Sequence, residues 1–214
     1  MAISAAIRDH KSPGASLRVL GVDPALAGAT GYGVVDCQGS RVMLIKFGAL
    51  KLPARASLAV RLHEIHALIA RLLVEFAPDV VAVEAVFTAL NVRTALKLAE
   101  VRGVVLLAAA QAQIPAQSYS PREVKATVAG YGAASKQQMQ QMVSSLLGLT
   151  RCPEPADAAD ALAVALCHAQ MSQARERMAA ATGLRSAAVS RNGVVGTAVA
   201  RGNRARPARI QSIP

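Results

Sequence analysis

Four acidic residues, in three distant segments, have the types and spacing needed to hold divalent cations. Asp23 and Glu84 each end a short run of aliphatic and β-branched residues. Asp157 and Asp160 are three residues apart, which places both carboxylates on one face of a helix. Oxygen ligands alone suit a hard cation such as Mg²⁺ or Mn²⁺. Two such ions about 4 Å apart can activate a water and stabilise the leaving oxygen in phosphodiester hydrolysis.

Each acid also has a purely structural interpretation. Asp23 precedes Pro24 and could cap a turn, as Asp before Pro often does. Asp157 and Asp160 begin a helix, where negative charge interacts favourably with the helix macrodipole. Clustered carboxylates repel one another and raise each other's pKa. The occurrence of all four together therefore favours a site that a cation neutralises.

The elements that must position these acids follow from the hydrophobic pattern. Alternating and continuous apolar runs predict strands, and apolar residues at spacings of three and four predict helices. The predicted order is β-β-β-α-β-α-β-α-α-α, with strands over 18–35 (a hairpin), 41–50, 80–84 and 114–119, and helices over 57–76, 91–112, 121–128, 135–147 and 156–171. This order predicts an α/β fold in which helices flank a mixed five-stranded sheet. Asp23 and Glu84 fall at carboxyl ends of strands, where open α/β sheets place their ligands.

Charge divides the chain into three predicted parts. The net charge is +11, and residues 171–214 carry eight arginines against one acid. We predict a flexible N-terminal extension over 1–16, a nuclease-like domain over 17–171 and a basic, disordered tail over 172–214. Such a tail is attracted to polyanions, although it could also act only as a solubilising segment.

The sequence shows no sign of a membrane or secretory protein. No apolar run is long enough to span a bilayer, and residues 1–16 lack the apolar region of a signal peptide. The three cysteines are widely separated, which suggests neither a disulfide framework nor a zinc site. We therefore expect a cytoplasmic protein without a membrane partner.

Several motifs together carry a resemblance to a known family. They are Gly21-Val-Asp-Pro, Thr30-Gly-Tyr-Gly-Val, Glu84-Ala-Val-Phe, Asn91, Ala95-Leu-Lys-Leu, Arg102-Gly, Val124-Lys and Ala156-Asp-Ala-Ala-Asp-Ala-Leu-Ala. In combination they resemble the RuvC family of bacterial Holliday-junction resolvases, which belongs to the RNase H-like superfamily. The resemblance runs from about Arg18 to His168.

The resemblance implies an activity and a set of partners. The family's metal-binding catalytic acids match the four acids named above, with two Mg²⁺ ions per active site and Mn²⁺ as an alternative. Phe87 matches an apolar residue near unstacked DNA, and Lys125 and Lys136 match basic residues facing the scissile region. Their structural alternatives are a core position for Phe87 and a solvated helix face for the two lysines. The family implies four-way junction DNA as substrate, a homodimer, and RuvA and RuvB as partners.

Two positions depart from the family pattern. Ala25 and Ala99 stand where the family usually has glycine, which permits a positive φ or a close backbone approach. Because of these departures, a catalytically weak junction-binding protein remains an alternative interpretation of the chain. Another RNase H-like nuclease is a second alternative. An actin-like or sugar-kinase-like ATPase is a third, but it needs a second phosphate loop and a longer chain, and neither is present.

Overall fold

A five-stranded mixed sheet in the order β3-β2-β1-β4-β5 forms the centre of the fold. The computed structural model describes residues 16–25, 28–85 and 92–181. The strands are β1 Leu17–Asp23, β2 Ala29–Gln38, β3 Arg41–Lys51, β4 Val80–Glu84 and β5 Ala116–Tyr119. β1, β2 and β3 pair antiparallel, whereas β4 is parallel to both β1 and β5. The predicted mixed sheet is confirmed.

Five helices cover both faces of this sheet. α1 Leu58–Phe76 and α2 Val92–Gln111 pack on one face, and α3 Pro121–Ala129, α4 Lys136–Leu146 and α5 Ala156–Ala181 on the other. The hydroxyls of Ser57, Ser120 and Ser135 accept backbone N–H bonds at the starts of α1, α3 and α4. Residues of β1 and β4 alternate between the two cores because successive side chains in a strand point to opposite faces. No helix of the described residues is long and apolar enough to cross a membrane.

Helix α5 lies directly on β1 and β2 because three strand residues have no side chain. A Cβ atom on Gly31 or Gly21 would overlap the backbone carbonyl oxygen of Asp157 or Ala161, respectively. A Cβ on Gly33 would meet the side chain of Leu162 at 2.5 Å. Backbone contact therefore sets the height of α5 above the sheet.

Arg18 forms hydrogen bonds that stabilise the end of the sheet opposite Asp23. Its guanidinium donates two hydrogen bonds to the Asp36 carboxylate, at 2.7 and 2.8 Å, and one to the Phe76 carbonyl oxygen. The Arg18 backbone N–H also donates to Asp79 at 2.8 Å. These bonds join β1 to β2 and to the end of α1.

The structure departs from expectation in two places. Helix α5 continues to Ala181, so the prediction that it ends at Met171 was wrong, and residues 172–181 of the predicted tail are helical. Among the described non-glycine residues, positive φ angles occur only at Ala77 and Gln113. Ala25 and Ala99 therefore adopt conformations open to any residue, and Ala99 lies on an exposed face of α2.

Candidate metal and nucleic-acid site

Asp23 and Glu84 lie side by side at the carboxyl ends of two adjacent parallel strands. Val22 of β1 is in register with Val83 of β4, so the residues that follow are also neighbours. Val22 and Val83 are buried against α1 and α2. The alternation of side chains therefore turns both acids to the other face, towards α5. A hydrogen bond joins the two carboxyl groups.

This pair holds a proton at neutral pH. Burial, the hydrogen bond and charge of Glu84, and the charges of Asp160 and Asp157 raise the pKa of Asp23 to about 9. Burial and the charge of Asp160 also raise the pKa of Glu84, while Lys125 and Lys136 act to lower it. Two carboxylates cannot both ionise cheaply when they are this close. Burial and the neighbouring acids therefore favour a proton shared by the two carboxyl groups.

The first turn of α5 brings the other two acids to the same edge of the sheet. The backbone of Asp157 rests on Gly31, which is the register partner of Asp23 in β2. Both Asp157 and Asp160 act electrostatically on Asp23. The structure thus brings together the four predicted acids, here called the acid cluster: Asp23, Glu84, Asp157 and Asp160.

Two lysines face the acid cluster from α3 and α4. The Lys136 ammonium donates to Asp160 Oδ2 at 2.9 Å, and this bond raises the pKa of Lys136. A cleft of about 230 Å³ lies between them, lined by Glu84, Lys125, Lys136 and Asp160. Its apolar wall includes Met139 and Val164. Positive and negative groups thus line one opening, as a phosphate held over metal ions requires.

The donor set fits a hard cation. All four side chains of the acid cluster offer carboxylate oxygens, the ligands that Mg²⁺ and Mn²⁺ prefer. In the structure Asp23 bonds to Glu84 and Asp160 bonds to Lys136, so these oxygens are paired with a proton or an ammonium group. No three His, Cys, Asp or Glu side chains are arranged as a metal-ligand group within the described ranges.

Other predicted features have different outcomes. Phe87 lies outside the described residues. Thr30 is buried, and its hydroxyl donates to the Ala25 carbonyl oxygen at 3.0 Å. Sequence reasoning missed the direct contact between Lys136 and Asp160, because it depends on how α4 packs beside α5. It also missed the contact of α5 with the glycines, although Gly31 and Gly33, two positions apart, marked one smooth face of a strand.

The sheet order and the acid cluster define the class of this protein as an RNase H-like nuclease. The yeast mitochondrial Holliday junction resolvase has the same fold, with a TM-score of 0.57 at 15% identity over 83% of this chain and 88% of that one. A family model described as crossover junction endodeoxyribonuclease RuvC matches residues 19–168. The chain belongs to the RuvC family, whose nucleases are metal-dependent.

Two relatives illustrate the similarity. A crossover junction endodeoxyribonuclease RuvC of Syntrophomonas wolfei is 47% identical over 71% of this chain and 88% of its own length. The structure of Thermus thermophilus RuvC in complex with a Holliday junction substrate has a TM-score of 0.69 and 36% identity, covering 74% of this chain and 96% of that one. Both similarities exclude the actin-like ATPase alternative.

Proposed function

We propose that this chain cuts four-way DNA junctions by paired symmetric nicks, in DNA recombination and repair. The observation that carries the proposal is the convergence of the acid cluster on one edge of the sheet, in a member of the RuvC family. The two acids at strand ends come from adjacent strands, and the other two come from a helix seated on those strands. The site therefore has the rigidity that positioned hydrolysis demands.

In this proposal the acid cluster holds two Mg²⁺ ions, for which Mn²⁺ can substitute. The carboxylates of Asp23, Glu84, Asp157 and Asp160 would be the ligands that hold these ions. When bound, the ions supply an activated water and charge stabilisation for the leaving oxygen. The chain's own contribution is to present four carboxylates at fixed positions and to give up the proton that Asp23 and Glu84 share.

Lys136 and Lys125 have a role on the phosphate side of the cleft. In the structure Lys136 neutralises Asp160. A cation held by Asp160 would leave the Lys136 ammonium group able to face a phosphate oxygen and to stabilise the charge that develops there. Lys125 lines the same cleft from α3. Phe87 is assigned by family resemblance to contact unstacked DNA.

Symmetric nicking requires two active sites, and α2 carries a surface suited to a homodimer. Its exposed side presents an apolar row, here called the α2 stripe: Val92, Leu96, Ala99, Gly103, Leu107 and Ala110. Val92 is 74% exposed and Leu96 61%. The spacings of three and four place all six on one helical face. Self-association through this stripe gives the two-fold arrangement that pairs the sites.

The partners and the compartment are carried over from the family. We assign RuvA and RuvB as partners and the cytoplasm as the location by family resemblance. The basic segment after Ala181 has no counterpart in the family match, which ends at residue 168.

The deciding experiment compares cutting of labelled four-way junction, linear duplex and RNA–DNA hybrid, with and without Mg²⁺. We expect metal-dependent, paired nicks in the junction and little cutting of the other two substrates. Preferential cutting of the hybrid would support another RNase H-like nuclease. Tight junction binding without nicks at any Mg²⁺ or Mn²⁺ concentration would support the binding-protein alternative.

A further inference from the structure

Tyr131 is an exposed aromatic residue in the loop between α3 and α4, the two helices that carry the lysines of the cleft. Its side chain is 47% exposed. A single exposed aromatic residue is common on protein surfaces and by itself carries no meaning. The way in which this ring is held, and the charges around it, distinguish it from the other exposed apolar residues.

The ring is anchored by its hydroxyl group. The Tyr131 hydroxyl donates to Gln138 Oε1 at 2.6 Å. The same oxygen accepts the Ser135 backbone N–H at 2.9 Å, in the capping box that begins α4. Gly130 has a φ of +84°, a conformation that favours glycine. The loop therefore holds the ring out in solvent at a fixed place instead of folding it into the core.

Basic side chains lie on both of the helices that flank this loop. Lys136 is the first residue of α4, two positions before Gln138, and reaches Asp160. Lys125 lies on α3 and lines the same cleft. Arg122, also on α3, packs where a Cβ atom of Gly132 would lie, with its Cγ at 2.8 Å from that point. Three cations thus lie on the two helices that the loop joins.

A fixed aromatic ring beside a row of cations is the arrangement that binds single-stranded nucleic acid. The cations follow the phosphates, and a base stacks on the ring whatever its sequence. We propose that Tyr131 stacks on an unpaired nucleobase of the junction, on the strand whose phosphates pass Arg122, Lys125 and Lys136. This inference rests on the proposed function, and it assigns to the loop a contact that holds one strand in the cleft.

The test measures junction affinity, in the absence of divalent metal, for the wild type, Tyr131→Phe and Tyr131→Leu. Phe keeps the stacking surface and loses the anchor, whereas Leu removes the aromatic face. We expect binding within about twofold of wild type for Phe and about tenfold weaker for Leu, since one base–aromatic stack accounts for roughly an order of magnitude in affinity. Val74→Ala, at an 85% exposed position of α1 on the other face of the sheet, is the matched control and should bind as wild type.

A second measurement locates the base. Junctions with a single abasic site at successive positions near the crossover are bound to wild type and to Tyr131→Leu. At one position the missing base should weaken wild-type binding about tenfold and leave binding of Tyr131→Leu unchanged, because the two changes remove the same interaction. The proposed stacking would be contradicted if the affinity losses from the abasic site and from Tyr131→Leu added at every position. It would also be contradicted if Tyr131→Phe and Tyr131→Leu lost the same affinity.

Wild-type cutting is measured in parallel to separate this inference from the proposed function. If the wild type does not nick junctions, the proposed function fails. If it nicks them and Tyr131→Leu binds as tightly as wild type, only the inference about Tyr131 fails. Melting temperatures of the variants identify any loss of folding.

Discussion

Among single residues, the neighbouring carboxyl groups of Asp23 and Glu84 mark the centre of the site. Burial, with the hydrogen bond and charge of Glu84, raises the pKa of Asp23 to about 9. A strongly perturbed pKa of this kind is typical of functional sites.

We predict that Asp23→Asn and Asp157→Asn separately abolish cutting and preserve folding and binding. Each variant keeps the side-chain shape but removes a metal ligand, so nicking should fall by several orders of magnitude. Junction affinity should persist or tighten at low Mg²⁺, because a carboxylate facing a phosphate repels it. Nicking rate, affinity and melting temperature are measured on the same preparations.

Asp36→Asn provides the matched control for these variants. Asp36 is buried and pairs with Arg18 away from the site, so its replacement should lower the melting temperature and leave nicking per folded molecule unchanged. If the acid cluster had only a structural role, Asp23→Asn and Asp157→Asn would also lower the melting temperature and leave nicking per folded molecule unchanged.

His168 gives a pH-dependent prediction. It is buried, and its Nδ1 lies 2.7 Å from the Tyr119 hydroxyl oxygen. Burial, with the positive charge of Arg175, lowers the pKa of His168 to about 4. Unfolding lets the imidazole take up a proton below its ordinary pKa, so the stabilisation is present above about pH 6.5 and is lost as the pH falls towards 4.

The expected loss of unfolding free energy between pH 7 and pH 4 from this residue is at most about 3 kcal/mol. Denaturant titrations of the wild type and His168→Gln across that range measure it. The variant should be less stable at pH 7 and should lose less stability on acidification. Parallel pH curves for the two proteins would exclude His168 as the source.

At the scale of elements, the contact of α5 with the glycines of β1 and β2 determines where two of the acids lie. We predict that Gly31→Ala displaces the first turn of α5, because the new methyl group would overlap the carbonyl oxygen of Asp157. Nicking should fall more than junction affinity, and the free energy of unfolding should fall by about 1–3 kcal/mol.

Val74→Ala is the control for that variant. Val74 is 85% exposed on α1, away from α5 and the α2 stripe, so its replacement should leave nicking and the free energy of unfolding close to wild type. Unchanged nicking in Gly31→Ala, measured under saturating Mg²⁺, would mean that the start of α5 adjusts without cost.

The sequence predicts the elements well where the pattern is local. The aliphatic and β-branched runs of β1 and β4 are short-range signals, and they indicate the strand ends that carry Asp23 and Glu84. The end of α5 was predicted too early because the apolar period stops near Met171. The following residues, Arg-Glu-Arg-Met-Ala-Ala-Ala, are strong helix formers, and Gly183 is the first glycine after them.

Contacts between elements could not be predicted in the same way. The pair of Lys136 and Asp160 joins two helices whose packing no local pattern records. The position of Tyr131 depends on Gln138, which lies on the next helix. Such contacts follow from the assembled fold.

At the scale of the whole molecule, the α2 stripe predicts the oligomeric state. Leu96→Asp places a charge at the centre of the stripe, and burying an unpaired charge is costly. We expect the wild type to sediment as a dimer and Leu96→Asp to sediment as a monomer. The melting temperature of the Leu96→Asp monomer should be that of the wild type. Val74→Asp on α1 should remain a dimer. A dimeric Leu96→Asp would place the subunit contact elsewhere.

The segment after Ala181 gives a prediction about salt dependence. Residues 182–214 contain six arginines and no acid. Deleting them should weaken binding to every DNA and flatten the plot of log affinity against log salt, by about 0.9 for every phosphate that the segment neutralises in the wild type. Preference for junction over duplex should be unchanged. Disappearance of that preference at an unchanged slope would identify the segment as a recognition element instead.

The length of α5 adds a geometric consequence. Ala169 is its last buried residue, and the helix continues to Ala181. At 1.5 Å per residue, this stretch carries the chain roughly 18 Å along the helix axis. That distance is about half a helical turn of duplex DNA. The arginines after Ala181 thus start far from the scissile phosphate. Compared with a chain that lacks them, they should lengthen the protected footprint on one arm of the DNA. The nucleotides that face the cleft should be the same in both.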